Sequence, residues 1–178
     1  MRYRRAFIPG GSFFFTVVTE HRRPLLASAE AVALLRTAIR TVRAARPFEM
    51  EAMVVLPDHL HCIWTLPPGD GDFATRWRLV KTRFTKHCDP ALRPAPDPAR
   101  IAKGEQSLWQ HRYWEHALRD ENDFARHVEY IHYNPVKHGL VTAPISWPYS
   151  SFHRFVEAGI YPADWGQGEV EIAAVGHE

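Results

Sequence analysis

A chain of 178 residues, 46% hydrophobic and 24% charged, is long enough to bury a real core in one domain and too apolar to be disordered throughout. Its two cysteines, Cys62 and Cys88, argue against a disulfide scaffold and fit a reducing compartment, and neither a secretory leader nor a membrane-spanning apolar run is legible. The formal charge of +2 hides an asymmetry, because residues 1–46 hold nine Arg against Glu20 and Glu30, a net of +7, whereas residues 121–178 hold three Lys/Arg against eight acids, a net of −5, so the basic front suits either a polyanionic partner or a solvated face.

In chain order, the arginine-rich start ends in Pro9-Gly10-Gly11, a turn signal. Ser12 to Thr19 reads as a strand buried on both faces. Ser28 caps a helix whose apolar stripe is Val32, Leu35, Ile39 and Val42. Arg36, Arg40 and Arg43 line another face, and Pro47 ends the helix. Phe48 to Leu56 and His59 to Leu66 are two strands of a hairpin joined through Pro57-Asp58. After the breaker Pro67-Pro68-Gly69, Asp72 caps a second helix with Phe73, Trp77, Val80 and Phe84 as its stripe. Arg76, Arg78, Lys81, Arg83 and Lys86 make that helix strongly basic, with no acid from Phe73 to Cys88. Residues 89–107, with Pro90, Pro94, Pro96 and Pro98, read as an irregular insertion within the domain.

Leu108 to Arg119 is expected to be a strand, and Asp120 caps the next helix, whose stripe is Phe124, Val128 and Ile131. Asn134-Pro135 is expected to close that helix, since a residue before proline is pushed out of helical geometry. A turn at Gly139 and an aromatic segment from Trp147 to Trp165 follow. The order of elements predicts one α+β domain over 1–166, ferredoxin-like or RRM-like. It would have an antiparallel sheet, helices packed on one face, and a C-terminal extension. The acidic tail, 167–178, is expected to fray.

The centre of interest is His59-Leu60-His61. In a strand, alternate side chains share a face, so His59 and His61 point together while Leu60, Cys62, Trp64 and Leu66 point into the core. Tyr130 and Asn134, at i and i+4, share one helix face bordering the apolar stripe, with His127 between. Two imidazoles and an amide oxygen suit Mg²⁺ or Mn²⁺ bound to a phosphate oxygen, and a tyrosine beside such a metal can act as nucleophile. Taken singly, the histidines read equally well as surface imidazoles, Tyr130 as an edge aromatic, and Asn134 as a helix-end residue. Tyr133 is a rival nucleophile, His127 and His132 are candidate bases, and Glu49 and Glu51 are either neighbours of the site or plain surface charges. His111, His116, His138 and His153 have no spacing that demands a metal.

His59-Leu60-His61 resembles the His-hydrophobic-His motif of the HUH endonucleases. Tyr130-Ile131-His132-Tyr133-Asn134-Pro135-Val136-Lys137-His138-Gly139-Leu140-Val141 resembles the nucleophile helix of the single-tyrosine HUH transposases of IS200-like type, and more narrowly that of the REP-associated tyrosine transposases. Pro9 to Thr19, Arg22 to Leu26 and Trp147 to His153 resemble the same subfamily. The resemblance implies Tyr130 as catalytic tyrosine, His59, His61 and Asn134 as ligands of a divalent Mg²⁺ or Mn²⁺, and single-stranded DNA beside a REP-like hairpin as substrate. It further implies cleavage through a 5′-phosphotyrosine with release of a 3′-hydroxyl. DNA contacts are expected from Arg2, Arg4, Arg5, Gly10, Gly11, Ser12, Arg22, Arg23, Arg76, Lys81 and Arg83. The expected molecule is cytoplasmic and nucleoid-associated, touches no membrane, and is a monomer, with a homodimer as the alternative. The alternative function is a domesticated protein that grips structured nucleic acid without cutting it.

Overall fold

A computed structural model describes residues 8–93, 98–102, 108–168, 170, 172 and 175. The strands are β1 (Ser12–Val18), β2 (Glu49–Val55), β3 (His59–Thr65) and β4 (Trp114–Ala117). The helices are α1 (Ala29–Ala45), α2 (Phe73–His87), a short α3 (Pro98–Ile101) in the insertion, α4 (Glu121–Lys137) and α5 (Phe152–Glu157). The four strands form one antiparallel sheet in the order β2-β3-β1-β4. With α1 and α2 as the two connections, this is the ferredoxin-like topology expected from the sequence. The strand expected over Leu108 to Arg119 shrinks to β4, with Trp109 only bridging to Thr19.

Local chemistry sets the helix starts. Ser28, Asp72 and Asp120 each accept a backbone N–H from the first turn of α1, α2 and α4, at 3.2, 3.0 and 2.8 Å. Each such cap contributes about 1 kcal/mol. The sheet has two buried faces. On one, Phe13, Phe15 and Val17 of β1 and Leu60, Cys62 and Trp64 of β3 pack under α1 and α2, and the Trp64 and Trp77 rings stack 4.2 Å apart. On the other, Phe14, Ala52, Val54 and Ile63 meet Val128, Tyr130 and Ile131 of α4.

Helices therefore cover both faces, not one as the element order suggested. The ferredoxin-like pair takes one face, and the additional helix α4 takes the other. Among the described residues the cluster between that face and α4 comprises eight buried hydrophobic residues, and burial of each large apolar side chain there contributes about 1.5–3 kcal/mol. The C-terminal extension closes the β2 edge: Val55 N donates to Tyr149 O at 2.9 Å and Ser151 N to Met53 O at 2.8 Å. Ile172 and Val175, in the tail expected to fray, pack against the α4 side. Cys62 and Cys88 are buried thiols without a disulfide. Among the described residues no helix is long and apolar enough to cross a membrane.

Asn134-Pro135 does not end α4. The helix runs on to Lys137 with Pro135 buried inside it. Proline removes one backbone donor here, near the helix end, and the buried flanks of Asn134 and Pro135 hold the turn in place against that loss. The true stop is a Schellman motif at Gly139 (φ 66°), where Gly139 N donates to Val136 O and Leu140 N to Pro135 O.

Arg76, expected on the DNA face, is instead a core group, 2% exposed. It donates to both carboxylate oxygens of Asp70 and to the carbonyls of Arg46, Pro47 and Asp72. Its stem belongs to the apolar side of α2, so its charge is spent tying the Pro67–Asp72 loop to the end of α1. Arg76→Ala is expected to destabilise the fold by about 1–3 kcal/mol, as for carbonyls left without their donor. Denaturant melts check this, while DNA affinity per folded molecule stays unchanged.

Candidate active site

The β1–β3 register sets the site. Thr16 lies opposite His61 and Val18 opposite His59, so both imidazoles rise from the face covered by α4. His59 is 1% and His61 0% exposed, and their ring centroids are 4.9 Å apart. Each ring has its Nδ1 engaged. His59 Nδ1 donates to Asp58 Oδ1 at 2.6 Å, and His61 Nδ1 lies 2.9 Å from Thr16 Oγ1. A carboxylate on Nδ1 fixes the tautomer, so Nε2 is the nitrogen His59 offers to a metal. Burial opposes ionisation of Asp58. The hydrogen bonds and charges of His59 and Arg22 outweigh it and hold the carboxyl below its ordinary value.

Helix α4 supplies the rest. The Tyr130 ring sits edge-on to His61, centroids 5.3 Å apart, and the His138 ring lies 5.1 Å from His59. Asn134 is midway between Tyr130 and His138 on that helix face, one turn from each, and is fully buried. The helix face predicted to look at the histidines does so. Two neutral imidazole nitrogens and a neutral amide oxygen form a donor set that fits a divalent Mg²⁺ or Mn²⁺ with positions left for phosphate. Tyr130 is itself 3% exposed, and the Lys137 ammonium donates to its Oη at 3.1 Å.

Tyr133 points elsewhere, toward Trp165. His132 accepts or donates at Ser151 Oγ, 2.8 Å away, and burial followed by the Arg154 charge pushes its pKa down to about 3. It packs among Phe152, Phe155 and Tyr161, so it is not placed to serve Tyr130 as a base. His127 donates to the Asp123 carbonyl at 2.7 Å and is separated from His61 by Phe14, which packs on both rings. Glu49 pairs with Arg43 on the surface.

Sequence reasoning missed Asp58, Thr16, Lys137 and His138. Thr16 emerges only with the strand register. Lys137 had a signal, its i+7 spacing from Tyr130, which the expected helix stop at Pro135 concealed. Also unforeseen is a second grouping in which ligand-type atoms of His116, Asp123 and His127 lie within 4.8 Å of one another. Its donors are already used. Asp123 Oδ2 accepts from Arg119 N, Arg119 Nε and His116 Nε2 at 3.1, 3.0 and 2.9 Å. The two imidazoles stack at 17°, so their in-plane lone pairs run side by side rather than converging. Burial opposes the Asp123 charge, but these partners hold its carboxyl well below the usual range, and the cluster clamps β4 to the start of α4.

The residues expected to contact DNA are scattered. Gly10 turns at φ 72° against Pro68, with its N–H on Asp70 O at 2.8 Å, at the sheet end opposite His59. Ser12 Oγ is 2.7 Å from Thr65 Oγ1. Arg22 Nη1 donates to Asp58 Oδ2 at 3.2 Å, beside His59, whereas Arg23 Nη2 donates to Leu92 O at 2.9 Å, and Leu92 packs with the core on the α1 and α2 side. Arg83 is exposed on α2. Arg2, Arg4 and Arg5 lie outside the described residues.

Lys81, a further expected DNA contact, is half-buried instead. It donates to Gln110 O at 3.0 Å and lies over the Tyr113 ring, and burial lowers its pKa from 10.5 to about 8. Between those values the unfolded chain binds more protons than the folded one, so stability rises with pH across that window. Below pH about 8 the burial cost is complete and constant. Lys81→Met is expected to raise the melting temperature at pH 7, and the gain to shrink toward pH 10; melts across that range check it.

No family model matches the chain. Over 172 residues, 97% of this chain and 94% of the relative, it is 46% identical to the REP-associated tyrosine transposase of Escherichia coli strain K12. It is 43% identical to the putative REP-associated tyrosine transposase of Haemophilus influenzae, with 92% of each chain covered. Among solved structures it is similar to a REP-associated tyrosine transposase bound to a REP hairpin, with a TM-score of 0.79 and 44% identity over 100% of this chain and 98% of that one.

Proposed function

The chain belongs to the REP-associated tyrosine transposases, and from that premise we propose that it nicks and rejoins single-stranded DNA beside REP-like hairpins, with Tyr130 as nucleophile. One observation carries the reading. Tyr130 and His138 stand against His61 and His59 with Asn134 between them, so nucleophile and candidate ligands converge within one chain. That convergence needs no helix from a second copy, which supports a monomer. The reading puts the protein in the cytoplasm, on the nucleoid.

The chemistry follows from the groups. His59 and His61 through Nε2, and Asn134 through its amide oxygen, would hold Mg²⁺ or Mn²⁺. The bound ion supplies charge neutralisation at the scissile phosphate. Asp58 and Thr16 keep the two rings oriented. Tyr130 Oη attacks phosphorus in line, giving a 5′-phosphotyrosine and a free 3′-hydroxyl. Because phosphodiester energy is kept in the protein–DNA bond, a later 3′-hydroxyl restores the strand without ATP. Arg22 beside His59, Arg23 near Leu92, Arg83 on α2, Gly10-Gly11-Ser12 at the far sheet end, and Arg2, Arg4 and Arg5 are assigned to hairpin and flank. Phosphate contacts of this kind position the DNA.

The test is incubation of 3′-labelled REP-like hairpin oligonucleotides with protein and Mn²⁺. A denaturant-resistant labelled adduct is expected. Hairpin binding with no adduct on any native hairpin would instead leave the protein as one that grips structured DNA without cutting.

A further inference from the structure

A lysine stands beside the candidate nucleophile. Lys137 Nζ donates to Tyr130 Oη at 3.1 Å and also lies 4.8 Å from the centroid of the Tyr130 ring. Two geometric facts bring it there. The helix continues through Pro135, placing Lys137 seven residues, two turns, beyond Tyr130 on one face. The Schellman stop at Gly139 then fixes the last turn that carries it. Tyr130 is buried, whereas Lys137 is exposed, and the contact between them is part-buried.

We propose that Lys137 is a catalytic residue of the tyrosine chemistry. Its ammonium aims the Tyr130 hydroxyl and stabilises negative charge on Oη while the bond to phosphorus forms and breaks. The proposal rests on the Tyr130 reading above. In cleavage the Oη–P bond forms and the P–O3′ bond breaks, and the phenolic proton passes through water to the departing 3′-oxygen. In rejoining, the 3′-hydroxyl attacks phosphorus, the P–Oη bond breaks, and a proton returns to Oη. Lys137 keeps its own proton in both directions. A fixed cationic donor at the oxygen that gains charge is the arrangement that lowers such a barrier. The competing role is a plain C-terminal cation favoured by the helix dipole, which acts on stability and leaves rates alone.

The experiment compares wild type, Lys137→Met, Lys137→Arg and Tyr130→Phe on a 3′-labelled hairpin oligonucleotide with Mn²⁺. It measures single-turnover adduct formation, rejoining to an added 3′-hydroxyl strand, hairpin affinity and thermal melting. Lys137→Met is expected to slow both reactions by roughly 100-fold, with affinity and melting temperature unchanged, and Lys137→Arg to recover part of the rate. Wild-type rates in Lys137→Met would overturn the proposal while leaving Tyr130 as nucleophile. A rate loss matched by equal losses of affinity or melting temperature would overturn it too, in favour of a structural role. An adduct that survives Tyr130→Phe would remove the Tyr130 reading and the Lys137 proposal with it.

Discussion

Tyr130→Phe is expected to abolish the covalent protein–DNA adduct and to cut strand cleavage by on the order of 10³-fold or more, as for loss of a covalent nucleophile. The substitution is clean, because the ring packs edge-on to His61 and Phe14 and phenylalanine keeps that packing. The hydroxyl is lost, and with it the Lys137 hydrogen bond. Hairpin affinity and melting temperature are therefore expected to hold. Tyr133→Phe serves as the internal control. It sits beside Trp165 and Gly166, about 60° round α4 from Tyr130, and the variant is expected to form adduct at the wild-type rate. Gel analysis of labelled hairpin after denaturation separates the two variants.

His61→Ala is expected to lower Mn²⁺ affinity by roughly 100-fold or more and to remove cleavage, because it deletes one of the three proposed ligands from a buried sheet face. Asp58→Asn touches no metal position. It removes the carboxylate that accepts the His59 Nδ1 proton at 2.6 Å. Loss of such an orienting group costs roughly 10–100-fold in metal affinity or activity, so this variant is expected to fall between wild type and His61→Ala. Titration of Mn²⁺ by electron paramagnetic resonance measures both. Unchanged Mn²⁺ binding in His61→Ala would place the ion elsewhere.

Much of this arrangement was legible in the residues. Alternation in Leu60, Cys62 and Trp64 settles which face His59 and His61 share, because a strand has only two faces. Ser28, Asp72 and Asp120 mark helix starts, since each carries a short acceptor before an apolar period. The topology followed from the order of elements. What escaped depends on partners far away in the chain. Whether a third helix joins the first two or takes the opposite sheet face is decided by packing Val128 and Ile131 on Ala52, Val54 and Ile63, and local pattern carries no trace of it. Pro135 misled because the local penalty of proline is real, but tertiary burial overrides it at one turn from a helix end. Arg76 and Lys81 looked like phosphate contacts because charge reads as exposure. One instead satisfies three carbonyls and Asp70, and the other lies along Tyr113. Resemblance supplied the roles of the four central residues, and physical spacing showed only that they can meet.

The most direct test is to map the nucleotide on the protein. After reaction with a hairpin oligonucleotide and Mn²⁺, followed by nuclease and trypsin digestion, the peptide from His127 to Lys137 contains both Tyr130 and Tyr133. Fragmentation by tandem mass spectrometry assigns the added mass to one of them. The expected result is a 5′-linked nucleotide on Tyr130 alone; modification of Tyr133, of a histidine, or of no residue despite strand cleavage would contradict the account.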